Sequence, residues 1–91
     1  MAQTHIVKRR GHKERFDERK IYASCFASCR VVGLHDKQTE KICGSVTTSV
    51  KAWMRNKREV SSDDIFKVVV RSLRKHNKDA AFMYETHRDI G

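Results

Sequence analysis

Three basic side chains near the amino terminus have the types and spacing of an anion-binding group. Lys8 and Arg9 are adjacent in a short extended stretch, and Lys20 follows where a helix is expected to begin. A helix start carries about half a positive charge and unpaired N–H groups, so anions bind there readily. Because all three cations would lie beside that start, we expect them to hold a polyanion such as a triphosphate.

A hairpin and a helix must position these cations. Residues 5–16 form two extended stretches around Gly11, which can adopt positive φ without steric cost. Glu14 lies on the returning stretch. Asp17 then offers an N-cap to a first helix, which the apolar spacing predicts over residues 18–31. The cations are therefore expected where the hairpin meets the first helix.

A second helix is predicted over residues 37–56. Gly33 is a natural stop for the first helix, and Asp36 can cap the next one. Val60, flanked by polar residues, suits an edge strand that would extend the hairpin into a three-stranded sheet. Apolar side chains recur at helical spacing along the second helix, at Ile42, Val46, Val50 and Trp53.

Two more helices follow. Residues 61–64, Ser-Ser-Asp-Asp, supply a capping hydroxyl and first-turn acids, which predict a third helix over residues 63–75. Asn77 can cap a fourth helix that continues to Gly91. We therefore predict a mainly α fold of the α+β class, a four-helix bundle capped by a small three-stranded β-sheet that begins with the N-terminal hairpin. Its length fits a single domain over residues 1–91.

The composition is strongly basic. Lys and Arg number 20 against 11 Asp and Glu, which gives a net charge of +9. This balance favours anionic partners such as phosphate, nucleic acid or acidic lipid, although it also fits an ordinary solvated surface. The excess is concentrated in residues 1–20, 51–60 and 67–78. The last segment has no acidic residue and contains Lys67, Arg71, Arg74, Lys75 and Lys78.

Other chemistries find less support. The four glycines are too far apart for a glycine-rich phosphate loop. Cys25 and Cys29 lie four residues apart in an apolar helical stripe, so we expect them and Cys43 to be free, buried thiols and not zinc ligands. We expect the five histidines to be exposed. No local pattern pairs a nucleophile with a base, so we predict that the protein has no structural metal and is not an enzyme.

No apolar run approaches the roughly 20 residues that cross a bilayer. Basic residues from Arg9 to Arg15 also occupy the place where a signal peptide would be apolar. An odd and modest number of cysteines fits a reducing compartment. We therefore expect a cytoplasmic protein with no membrane partner.

At these residues the chain resembles the ATP-cone, the nucleotide-binding regulatory domain found at the start of many ribonucleotide reductases and in their bacterial repressor. That family opens with a Val-x-Lys-Arg-Asp-Gly hairpin, then Glu, then Lys-Ile, which is similar to residues 6–11, Glu14 and residues 20–21 here. Its later strand, Ser-rich cap and Ala-rich last helix are similar to residues 60–65 and 80–84. The similarity covers nearly the whole chain.

The resemblance implies that the ligand is an adenine nucleotide, ATP or dATP, with or without Mg²⁺. It also implies a regulatory module that changes its protein–protein assembly, as a homo-oligomer or with a partner like ribonucleotide reductase. Arg10 stands where the family has Asp, so the hairpin tip is expected to differ. The implied contacts are phosphate contacts from Lys8, Arg9 and Lys20, base or sugar contacts from Val7 and Ile21, and hydrogen bonds from Glu14, Asp17 and Ser62.

A basic nucleic-acid-binding module or transcriptional regulator is the alternative. Phosphate neutralisation would account for the net charge and for the basic cluster in residues 67–78. It does not account for the spacing of the hairpin residues. Because no reductase domain follows and no zinc ribbon precedes, the chain is expected to be a free-standing sensor or a fragment of a larger protein.

Overall fold

The computed structural model describes residues 4–7 and 11–87. Four helices and three short strands occur in these ranges, which confirms the predicted fold class. In chain order the elements are β1 (His5–Val7), β2 (Lys13–Arg15), α1 (Glu18–Val31), α2 (Asp36–Met54), β3 (Glu59–Ser61), α3 (Ser62–His76) and α4 (Lys78–Thr86).

The sheet has the strand order β2-β1-β3. β1 pairs antiparallel with β2, as the hairpin prediction requires, and Gly11 in their connection has a φ of 79°. β3 pairs parallel with β1, since α1 and α2 carry the chain across before it returns. Ile6 is in register with Glu14 on one side and with Val60 on the other. This face of the sheet covers the bundle, because Val60 is buried and Ile6 packs against the core.

The core lies between α1 and α2 and extends to α3 and α4. It is built from small and medium apolar side chains, and the three thiols are free and buried within it, as expected. The aromatic rings of Tyr22, Phe26, Trp53 and Tyr84 pack around it, half-buried. The fully buried core residues are Cys25, Cys29, Cys43, Val46, Val50, Val69, Leu73, Ala80 and Ala81.

Several predicted helix ends are confirmed. α1 has its predicted bounds, and Asp17 caps it by accepting a hydrogen bond from the Arg19 N–H. After α1 the chain turns at Gly33, whose φ is 88°. α3 is capped by the Ser61 hydroxyl, which accepts from the Asp64 N–H at 3.0 Å. α4 is capped by Asn77, whose Oδ1 accepts from the Ala80 N–H at 2.8 Å.

Three predicted ends are wrong. The N-cap of α2 is His35, and Asp36 is the first helical residue, whose carboxylate pairs with Arg30. That helix ends at Met54, two residues earlier than predicted. α4 ends at Thr86, where the Met83 carbonyl accepts from the Thr86 hydroxyl and from the His87 N–H. Residues 88–91, which the fourth helix was also expected to include, lie outside the described residues.

In the described ranges, no helix is both long enough and apolar enough to span a membrane. All five histidines are exposed, as predicted. No three His, Cys, Asp or Glu side chains of the described residues come together as a metal site.

Candidate functional site

β2 and the first turn of α1 bring Glu14 and Lys20 together. The Lys20 Nζ lies 4.0 Å from the Glu14 Oε2, and the Lys20 side chain is 73% exposed whereas that of Glu14 is 29% exposed. An ammonium group has three donors, so this long ion pair leaves donors of Lys20 directed to solvent. The carboxylate of Glu14 therefore positions a cation at the surface without consuming its capacity to bind an anion.

The carboxylates of Asp17 and Glu18, at the start of α1, already have basic partners within the protein. Asp17 Oδ1 accepts from the Arg19 N–H at 3.0 Å and from the Arg19 Nε at 3.1 Å. The hydrogen bond from the Arg19 side chain lowers the pKa of Asp17. Glu18 pairs with Lys51 of α2, with 2.9 Å between the Lys51 Nζ and the Glu18 Oε2. Asp17 thus lies close to Lys20 in the chain, but its oxygens already serve the helix cap.

The end of β1 meets the start of α3. Val7 is in register with Lys13 on β2 and with Ser61 on β3. Ser61 is the residue that caps α3, so Ser62 is its first helical residue and is half-buried. The structure therefore places Val7 and Ser62 in the same region, with Ser61 between them.

Ile21 is the buried neighbour of the Glu14–Lys20 pair in the chain. It follows Lys20 in the first turn of α1 and is only 9% exposed, as part of the core. Ile6, the register partner of Glu14, packs against the same core. One region therefore combines buried apolar side chains, an exposed cation and a half-buried carboxylate. It lies next to the residues where Val7 of β1 meets the start of α3.

The remaining predicted contacts, Lys8 and Arg9, lie outside the described residues, as does Arg10. In the chain they connect Val7 to Gly11. The roles of all eight predicted residues in binding stay predictions. Six of the eight are described, and they lie at the hairpin, at the start of α1 or at the start of α3.

Two residues that contact Tyr84 are not among the predicted site residues. The Phe66 ring lies 5.7 Å from the Tyr84 ring, centroid to centroid. The Tyr84 Oη lies 3.3 Å from the Ser24 Oγ. The Ser24 hydroxyl also lies 2.8 Å from the backbone carbonyl of Lys20, to which it donates. Burial raises the pKa of the Tyr84 hydroxyl.

The spacing in the sequence could have predicted that Ser24 and Phe66 lie near the site. Ser24 stands four residues after Lys20, and Phe66 stands four residues after Ser62, so each shares a helix face with a predicted site residue. Tyr84 joins these two faces from α4. The predicted site therefore continues into an aromatic and hydroxyl-bearing wall formed by three helices.

A groove elsewhere on the surface does not match this site. Its volume is about 190 Å³ and it lies at the other end of the hairpin, lined by Thr4, Phe16, Lys51, Met54 and Arg55. Pockets that enclose drug-sized ligands start at about 300 Å³. The groove is therefore too small to enclose a nucleotide, and none of the predicted residues lines it.

A hairpin beside the starts of two helices, with an exposed lysine next to buried apolar residues, defines a small α+β domain with a candidate anion-binding site. The sequence matches the ATP cone domain family over residues 4–89, and the chain belongs to that family. This confirms the resemblance carried by the hairpin residues. Domains of this family bind ATP or dATP and are linked to the allosteric regulation of ribonucleotide reductase.

The chain is also similar to the transcriptional repressor NrdR of Rippkaea orientalis. The two are 29% identical over 75 residues, which cover 82% of this chain and 41% of the repressor. The chain thus corresponds to about two fifths of the length of that repressor.

Proposed function

We propose that this protein senses adenine nucleotides: it binds ATP or dATP at the hairpin and changes its protein–protein assembly in response, without catalysis of its own. One observation carries the proposal. In a chain of the ATP cone family, the Glu14–Lys20 pair and the Val7–Ser62 junction lie on either side of β1, where the hairpin approaches the starts of α1 and α3.

The triphosphate is the part of the ligand that this region favours most. Lys20 is exposed, and the one ion pair described for its side chain, with Glu14, is long. Its ammonium group can therefore bind a phosphate oxygen at low desolvation cost. Lys8 and Arg9 follow Val7 directly and add two cations in the proposal. Each charge-assisted hydrogen bond contributes about 1.5–3 kcal/mol. Mg²⁺ usually keeps several waters and is held by phosphates, so Mg–ATP is included as a ligand.

The base and sugar would lie against the apolar part of the region. Val7 and Ile21 supply apolar surface, and Glu14 and Ser62 supply polar atoms at its edge. The Phe66–Tyr84 pair adds aromatic surface, which suits a purine. Asp17 is assigned a smaller part, because capping and the Arg19 side chain already use both of its oxygens.

A bound nucleotide would act on the rest of the molecule through α1 and α4. The Lys20 carbonyl, the Ser24 hydroxyl and the Tyr84 hydroxyl form a chain of hydrogen bonds from the site to α4. Ligands shift an assembly only through a difference in affinity between its states. The partner in the proposal is a second copy or a protein like ribonucleotide reductase, and the place of action is the cytoplasm, where free thiols persist.

The proposal is tested with a panel of ATP, dATP, ADP, GTP and inorganic phosphate. Calorimetry should show binding of adenine nucleotides, and thermal unfolding should shift with them and not with phosphate. Sedimentation velocity with ATP and with dATP should show a change in assembly, and the nucleotide should be recovered unhydrolysed. A panel without any adenine-specific shift would refute nucleotide sensing, and steady hydrolysis would refute the absence of catalysis.

A further inference from the structure

The exposed face of α3 carries basic side chains that the nucleotide site does not use. We call Lys67, Arg71, Arg74 and Lys75 the α3 stripe, and all four are exposed. At about 100° and 1.5 Å per residue they fall within an arc of about 100° and along about 12 Å of the helix. Phe66, on the nucleotide side, lies about 100° away from Lys67. The stripe is therefore a separate surface.

Few acidic groups compensate the stripe. In the described part of the chain its one recorded ion pair joins the Arg74 Nη2 to the Glu85 Oε2 at 3.9 Å, with both side chains about half exposed. Asp63 and Asp64, in the first turn of α3, stand four and three residues before Lys67, and α3 contains no acidic residue after them. Lys67 and Arg71, and Arg71 and Lys75, stand four residues apart, a spacing at which like charges destabilise a helix.

α2 shows the contrast. Lys37 and Lys41 are also exposed and four residues apart, but Asp36 and Glu40 stand beside them in the same helix. The cations of α2 therefore alternate with acidic residues along the helix, whereas α3 from Lys67 onward carries no acidic residue of its own.

The helix dipole explains only part of the stripe. Cations stabilise the last turn of a helix, and Arg74 and Lys75 lie in the last turn of α3. This effect falls off within that turn. Lys67 and Arg71 stand about two turns and one turn earlier, so helix stability does not require their charge.

We propose that the α3 stripe binds the phosphodiester backbone of duplex nucleic acid. Its long, exposed cations match a line of phosphates, and Lys78 at the start of α4 continues the positive charge. The stripe contains no aromatic side chain on which the bases of a single strand would stack. Phe66 is the one apolar residue of α3 that is not buried, and it lies outside the arc of the stripe, so no apolar side chain of this face can enter a membrane.

Such binding is independent of sequence and sensitive to salt. Lys and Arg contacts to phosphate position a protein but read no bases. With four such contacts, the affinity falls about 100-fold between 50 and 200 mM salt. The site differs from the nucleotide site, so this inference does not rest on the proposed function.

The test compares two matched double variants of the full chain by fluorescence anisotropy, using a labelled DNA duplex of about two helical turns. Lys67→Gln/Arg71→Gln removes two cations of the stripe, and Lys37→Gln/Lys41→Gln removes two at the same spacing from α2. Both lower the net charge equally. We expect the first to weaken duplex binding about 50-fold at 0.1 M salt and to flatten the salt dependence by about two contacts. The second should have a far smaller effect.

Four further measurements identify the ligand. An RNA duplex of equal length shows whether the stripe prefers DNA or RNA. The proposal is supported if the unmodified protein binds either duplex and the α3 variant does not. Millimolar ATP should leave duplex binding unchanged, because release by ATP would place the nucleic acid in the nucleotide site and overturn the inference. Equal losses in the two double variants, tighter binding of single strands, or binding of anionic vesicles but not duplexes would also overturn it.

Discussion

The substitution Lys20→Gln tests the site most directly. Lys20 is 73% exposed and its ion pair with Glu14 is 4.0 Å long, so we expect its loss to change the free energy of unfolding by less than about 1 kcal/mol. The loss of one charge-assisted hydrogen bond to phosphate costs about 1.5–3 kcal/mol, which weakens ATP binding about 10- to 150-fold. A structural role and a binding role therefore predict different outcomes.

Calorimetry measures the affinity for ATP. Thermal unfolding without ATP measures the change in stability, and thermal unfolding with ATP measures the stabilisation that binding adds. At an ATP concentration about 100 times the dissociation constant of the unmodified protein, binding stabilises the fold by about 2.7 kcal/mol. A variant weakened about 30-fold would gain about 0.9 kcal/mol at the same concentration.

Lys51→Gln is the matched control. Lys51 also pairs with a carboxylate near the start of α1, at 2.9 Å from Glu18, and its side chain is 54% exposed. Its replacement removes the same charge from an ion pair with the first residue of α1, so it reports any effect of general electrostatics on ATP binding. If Lys20→Gln binds ATP as tightly as the unmodified protein, or if both variants lose affinity equally, the assignment of Lys20 to a phosphate is refuted.

The core and the hydrogen-bonded wall lead to three further predictions. Leu73→Ala should lower the free energy of unfolding by about 2–5 kcal/mol in urea titrations, because Leu73 is fully buried, and a loss below about 1 kcal/mol would contradict the packing described. Tyr84→Phe should cost about 0.5–1.5 kcal/mol by removing the contact with Ser24, and ATP binding should weaken if that contact supports the site; an unchanged stability would show that the contact is absent. Burial raises the pKa of Cys43 to about 12 and raises that of Cys25 as well, so above about pH 9 the unfolded chain loses thiol protons that the folded chain keeps. Stability should therefore be constant through neutral pH and fall between about pH 9 and 12, and Cys43→Ala should reduce that fall in urea titrations.

Much of the site region follows from local rules. Asp17, Ser61 and Asn77 cap helices through contacts within three residues, so their types and positions are enough to place three helix starts. The Glu14–Lys20 pair is also nearly local, because only a strand end and one helical turn separate its members. The predicted cap of α2 was wrong although Arg30, the partner of Asp36, is equally near in the chain. Whether Asp36 caps α2 or pairs with Arg30 of α1 depends on the turn at Gly33 between the two helices, and capping rules do not describe that turn.

The sequence by itself determined the helices, the hairpin, the free buried thiols and the family, because these depend on periodicity, capping chemistry and a motif of closely spaced residues. The family resemblance also placed Val7 and Ser62 in one predicted site, and only the tertiary structure showed the contacts that join distant elements there. The parallel pairing of β1 with β3 brings Val7 to Ser61, and the packing of α4 on α1 brings Tyr84 to Ser24, across 60 residues. Such contacts depend on how the chain crosses the bundle, and a linear pattern carries no record of that path. For the same reason, only the fold showed that the α3 stripe is exposed and that few acidic residues lie near it.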